Sequence, residues 1–198
     1  MPRTEEYKMY RVEDKYLCSE KDLFLLQARL ETVLRPDVYQ AGAEGYQVTS
    51  VYFDDLQDTH LQDTADGNLF REKYRIRIYN GSFKTIKLEV KYKKYNRVLK
   101  RSKSITYEQM TELLRGGYIP GEDGSPDDPI TLFDLAISKR GLRPKVIVTY
   151  ERKAYVFDAG NVRITLDRNI RAGNQIDAFI RGEEIDYEGV RDMDRVLR

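Results

Sequence analysis

Lys73-Tyr74-Arg75-Ile76-Arg77-Ile78-Tyr79, the turn Asn80-Gly81, and then Lys87-Leu88-Glu89-Val90-Lys91 form the stretch on which the fold depends. Residues two apart on a strand share a face. Arg71, Lys73, Arg75 and Arg77 therefore stand on one side of the first segment, with Tyr74, Ile76 and Ile78 on the other. In the second segment Lys87, Glu89, Lys91 and Lys93 stand opposite Ile86, Leu88, Val90 and Tyr92. Asn-Gly between alternating segments signals a hairpin, which makes two rows of cations neighbours. Like charges paired across strands destabilise by a few tenths to about 1 kcal/mol each, so an anion between them is expected. On the same argument, removing Arg75 and Arg77 together is expected to relieve repulsion and leave the fold intact.

The alternation recurs in other segments. At 7–17 it puts Arg11, Glu13 and Lys15 on one face, with Tyr10, Val12 and Tyr16 behind. At 162–168 it separates Arg163, Thr165 and Asp167 from Val162, Ile164 and Leu166. Arg152 adds a cation in the preceding segment, although Val148 and Tyr150 share its face. A solvated face ordinarily mixes signs, whereas this one concentrates Arg and Lys, with only Glu13, Glu89 and Asp167 as acids.

The charge distribution agrees. The 198 residues carry a net charge of only +1, which argues against a general nucleic-acid or membrane-surface binder. From Arg71 to Lys103, however, thirteen basic residues face two acidic ones, an excess of eleven positive charges. One cysteine (Cys18) and one histidine (His60) exclude an internal disulfide framework and a Cys/His zinc cluster. Neither needs a functional role. There is no P-loop or dinucleotide fingerprint, so side chains must bind any phosphate. With no apolar leader and no membrane-length run, a single cytoplasmic domain over 1–198 is expected.

Around the hairpin the pattern predicts a helix capped by Ser19 and ending before Pro36, a strand within 45–54, and a polar connection over 56–67 with room for one short helix and with His60 read as a loop residue. Further strands are predicted at 69–79, 84–95, 97–105, 145–157 and 162–168. A helix capped by Thr106 runs to Leu114, and another spans Leu132 to Lys139, closed by Gly141. The acidic loop Glu122 to Asp128 reads as solvated, and Asp54 and Asp55 as the start of a turn. After Asn174 the pattern weakens. The fold class is α+β: an antiparallel sheet curling into a barrel, charged inside and covered outside by helices. Arg and Lys rows suit phosphate chains, and interspersed carboxylates suit manganese (Mn²⁺) or magnesium (Mg²⁺). Phosphoryl transfer needs positioning and charge neutralisation without a protein nucleophile.

Six segments, in order, resemble the VTC (vacuolar transporter chaperone) domain: Tyr10 to Tyr16, Ser50 to Asp55, Lys73 to Tyr79, Lys87 to Lys91, Tyr150 to Tyr155, and Val162 to Asp167. The resemblance implies a triphosphate tunnel fold and a polyphosphate polymerase that moves the terminal phosphate of ATP onto a growing chain with Mn²⁺ or Mg²⁺. It puts phosphate-binding roles on Lys15, Arg75, Arg77, Lys91, Arg152 and Arg163, and less securely on Lys100, with Arg11, Lys73 and Lys87 as further candidates. Glu13 and Glu89 are the expected metal carboxylates. The partners implied are ATP and inorganic polyphosphate, with no nucleic acid, and a membrane protein could receive the product. The related CYTH branch of triphosphatases and cyclases begins Glu-x-Glu-x-Lys, whereas Arg11 stands at the first of those positions here. A CYTH-like triphosphatase and a polyphosphate-binding module without turnover are the alternatives. Neither the family's last strand, with its inward Glu, nor its basic final helix is read between Asn174 and Arg198. On that reading the barrel is incomplete at its C-terminus, with two unpaired edges, and binds polyphosphate while making little polymer.

Overall fold

In a computed structural model, residues 10–38, 40, 45–121, 125–190 and 196–197 are described. The strands are β1 (Arg11–Val12), β2 (Tyr16–Leu17), β3 (Arg35–Pro36), β4 (Tyr46–Asp54), β5 (Phe70–Tyr79), β6 (Ser82–Lys94), β7 (Arg97–Ile105), β8 (Arg143–Phe157), β9 (Val162–Gly173), β10 (Glu188–Gly189) and β11 (Val196–Leu197). The helices are α1 (Glu20–Val33), α2 (Thr59–Ala65), α3 (Tyr107–Leu114), α4 (Pro129–Arg140) and α5 (Ile176–Arg181). None is long and apolar enough to cross a membrane.

Local chemistry sets these boundaries. Ser19 accepts from the Asp22 amide to open α1, and Thr106 and Gln109 form a reciprocal capping box on α3. Asp128 caps α4 with Pro129 in its first turn, so that helix starts earlier than the predicted Leu132. Gly141 ends it at φ +66°. Asn80 and Gly81 both take positive φ, as a tight hairpin between β5 and β6 requires.

Every pairing is antiparallel, in the order β1-β7-β6-β5-β4-β8-β9-β11-β2, with β3 beside β8 and β10 beside β9. The two end strands, β1 and β2, are separated in the chain only by residues 13–15. One short segment therefore joins both ends of the curled sheet, with no ladder between β1 and β2 among the described residues. This corrects the single strand predicted over 7–17, of which 7–9 lie outside the described residues. The chain pairs with β7, crosses over, and pairs again with β11, so its alternation breaks and Val12 and Tyr16 are exposed beside Arg11.

The C-terminal expectation is also corrected. Residues 174–198 contain α5, β10 and β11, and β11 pairs with both β9 and β2, so the expected unpaired edges are bridged. Residues 191–195 and 198 lie outside the described set, as do 122–124 of the acidic loop. The rest of that loop is not simply solvated, since Asp127 and Asp128 pair with Arg101 and Lys103 on β7. His60 is a buried residue of α2, stacked on Tyr74, and does not sit in a loop.

The outward faces of β5 and β6 make the core. Tyr74, Ile76, Ile78, Ile86, Leu88 and Val90 pack against Met110, Leu113, Phe133, Ala136, Phe179 and Ile180 from α3, α4 and α5. Burying a large apolar side chain stabilises by about 1.5–3 kcal/mol, so this face fixes which side of the sheet turns inward.

Gly45, at φ +86°, leads into β4 where a Cβ would overlap the Arg152 carbonyl oxygen. Gly45→Ala is expected to lower stability by at least roughly 1–3 kcal/mol, read as a shift in the denaturant midpoint. An unchanged midpoint would contradict the close β4–β8 approach at Arg152.

Candidate anion-binding site

Pairing registers carry the inward positions of β4 to β7 into three cross-strand rows. Tyr52, Arg75, Glu89 and Ser102 form one; Ser50, Arg77, Lys87 and Ser104 form the next. On the other side of the first row, Lys73, Lys91 and Lys100 stand side by side on three strands. The β8–β9 wall adds Arg152, opposite Asp167, and Arg163, opposite Val156.

Each inward arginine is held from behind. Arg75 donates Nε to Glu89 at 2.7 Å and Nη1 to the Tyr52 hydroxyl at 3.0 Å. Arg77 donates to Ser50 Oγ at 3.0 Å and to the Tyr150 hydroxyl at 3.1 Å. Arg152 grips both oxygens of the fully buried Asp167, at 2.7 and 2.8 Å, and lies over the Tyr150 ring. Arg163 donates to Asp37 at 2.6 Å and to the Tyr46 hydroxyl at 3.0 Å. Donors fixed in this way need little reorganisation when an anion arrives.

A cavity of about 930 Å³ gathers most of the predicted residues: Arg11, Glu13, Arg75, Arg77, Lys91, Lys100, Arg152 and Arg163 all line it. Four others do not. Lys15 lies 3.5 Å from Glu13, and Lys87 donates to Ser104 at 2.8 Å. Lys73 is partly buried and makes no hydrogen bond or ion pair among the described residues; burial pulls its ammonium below the usual lysine value. Glu89 lies beneath Arg75, 1% exposed. Sequence reasoning missed Asp37, Tyr46, Tyr52 and Ser50 as orienting groups, although the β4 alternation Tyr46, Val48, Ser50, Tyr52 carried the signal for three of them. Leu26 and Leu30 of α1 line the cavity as well.

Beyond Arg77, away from Arg75, the inward residues Val48 and Tyr150 pack with Tyr46 and Ala154 into a small apolar cluster. None of these four lines the cavity.

Glu13 reaches from the segment between β1 and β2 to Lys91, whose Nζ lies 2.8 and 2.7 Å from its two oxygens. Burial nevertheless pulls Lys91 down to about 8, against the pull of Glu13. Tripolyphosphate affinity is therefore expected to weaken as pH rises through about 8 and Lys91 loses its charge. Stability runs the other way: between about 8 and 10.5 the unfolded lysine holds a proton that the folded one lacks, so stability rises with pH. Calorimetric titration and denaturation across that window check both signs. Parallel trends would contradict a buried Lys91.

For a divalent ion, the two expected carboxylates differ. Glu13 lines the cavity with a 27% exposed side chain; both its oxygens rest on the single Lys91 ammonium, so a hard ion held by this one carboxylate plus substrate phosphates would have to displace that contact. Both oxygens of Glu89 are taken by Arg75 and Lys100. Among the described residues no three acidic, His or Cys side chains converge as a metal cluster.

A curled antiparallel sheet whose inner face carries oriented arginines and a row of lysines is the architecture that the triphosphate tunnel resemblance implies. The VTC domain profile matches residues 10–197, and the chain belongs to that family. A crystal structure of a proposed adenylate cyclase from Bacillus halodurans is similar in fold, with a TM-score of 0.56 at 14% identity over 96% of this chain and 81% of that one. A proposed adenylyl cyclase from Hippeastrum, described as having a dominant triphosphatase activity, aligns more loosely: TM-score 0.47, 13% identity, over 92% of this chain and 75% of that one. The PH1819 protein of Pyrococcus horikoshii aligns at TM-score 0.37 and 14% identity, over 91% of each chain. No curated protein matches.

Proposed function

We propose that this domain is a metal-dependent, cytoplasmic polyphosphate polymerase that transfers the terminal phosphate of ATP to a polyphosphate chain inside the barrel. The observation that carries this reading is the set of inward arginines, each clamped from behind around one cavity with the lysine row beside them. In-line transfer from one phosphate chain to another needs both chains held and their charge neutralised. Arg75, Arg77, Arg152 and Arg163 supply planar donors, while Lys91 and Lys100 supply point charges along a chain. The attacking oxygen belongs to the acceptor phosphate, so no protein nucleophile is required. Glu13, with substrate oxygens, would hold Mn²⁺ or Mg²⁺, which would neutralise charge on the transferred group.

Incubating the protein with ATP and Mn²⁺ and resolving products by chain length tests the proposal. Long polymer is the expected result. Orthophosphate without polymer would favour the CYTH-like triphosphatase. Tight polyphosphate binding without either product would leave a binding module.

A further inference from the structure

Glu89 is built into the wall rather than presented to the cavity. Its Oε2 lies 2.7 Å from Arg75 Nε and 2.6 Å from Nη2, and its Oε1 accepts from Lys100 Nζ at 3.1 Å. Arg77 Nη1 stands 3.9 Å from Oε2. The other edge of Arg75 is fixed by the Tyr52 hydroxyl. Burial alone would raise the Glu89 carboxyl, but Arg75, Arg77 and Lys100 outweigh it and lower it to about 2. The carboxylate therefore stays ionised wherever the protein would work.

A divalent ion binds carboxylate oxygen directly, at about 2.0–2.6 Å for Mg²⁺ or Ca²⁺. At Glu89, a carboxylate only 1% exposed, it would have to displace a guanidinium and an ammonium and remain beside a second guanidinium. The surroundings do not fit a metal. We infer that Glu89 is a positioning residue: it fixes Arg75 and Lys100, on the strand to either side, so that their remaining N–H groups face a phosphate chain. The inference rests on the phosphate-binding reading of the interior. One carboxylate among three cations leaves the site net positive, so Glu89 sets direction without cancelling the attraction for anions.

The test uses full-length protein labelled with ¹⁵N on arginine, as wild type and as Glu89→Gln, with Mn²⁺ alone and tripolyphosphate without metal as probes. Wild type is expected to show a slowly exchanging Arg75 Nε–H signal, assigned with Arg75→Lys, which stays in place on titration with Mg²⁺. In Glu89→Gln that signal should broaden or vanish, while Mn²⁺ affinity measured by electron paramagnetic resonance stays within about twofold of wild type. A tenfold or greater loss of Mn²⁺ affinity, or an Arg75 signal unchanged by the substitution, overturns the inference. If Glu89→Gln does not fold, the wild-type titration decides: loss of the Arg75 signal on adding Mg²⁺ would mean that the ion takes Glu89 from Arg75. Failure of wild type to bind tripolyphosphate would defeat the phosphate-binding reading separately, since the Arg75 signal and the Mn²⁺ affinity do not depend on it.

Discussion

Arg75→Ala is expected to lower stability by about 3–5 kcal/mol, because it leaves Glu89 as a buried carboxylate without its main partner. Arg77→Ala should cost far less, since Arg77 rests chiefly on the neutral oxygens of Ser50 and Tyr150. It should nonetheless weaken tripolyphosphate binding roughly tenfold to a hundredfold, the worth of one or two charged hydrogen bonds. The sequence led to a different expectation, that both arginines could be removed together without harm to the fold. Repulsion between rows of cations was the right force, but the register sets Arg75 directly across from Glu89. Denaturation and calorimetry on the two single variants separate these effects. Equal destabilisation by both would contradict the buried Arg75–Glu89 pair.

Glu13→Gln should act in opposite directions on binding and on transfer. Glu13 occupies Lys91 and lies near Lys15, so it competes with an incoming phosphate for both ammonium groups. At a pH well below 8, where Lys91 keeps its proton without Glu13, metal-free tripolyphosphate should bind up to about tenfold more tightly, the worth of one charge-assisted contact. Metal-dependent turnover should fall by at least about a hundredfold if Glu13 is the carboxylate that holds the ion, a loss comparable to removing one transition-state stabilising donor. Metal-free affinity and turnover with Mn²⁺ measured side by side check both. Weaker metal-free binding would show that Glu13 orients the lysines more than it competes for them.

The legible parts of the fold are those where a period runs long enough to register. β5 and β6 are ten and thirteen residues long, enough for the alternation within them to register, so the inward cations and the outward core could both be read. On β7 charges fall on both faces, because Arg101 and Lys103 turn outward to Asp127 and Asp128 while Lys100 turns inward to Glu89. Arg152 was hard to place because the residues that share its inward face on β8, Val148 and Tyr150, carry no charge. Two-residue strands such as β1, β2 and β11 carry no period at all, so neither the link through 13–15 nor the pairing of β11 could be read from sequence. The clamps behind the arginines were illegible for another reason: Asp37–Arg163 and Tyr150–Arg77 join residues far apart in the chain that only the pairing of distant strands brings together.

The central claim is that the inward face holds a phosphate chain, and calorimetric titration with tripolyphosphate at low and high salt tests it most directly. One chain should bind per protein, with affinity falling at least tenfold between about 0.05 and about 0.5 M salt, because the contacts are charge to charge and the cavity opens to solvent. Absence of saturable binding at low salt, or an affinity indifferent to salt, would contradict the account.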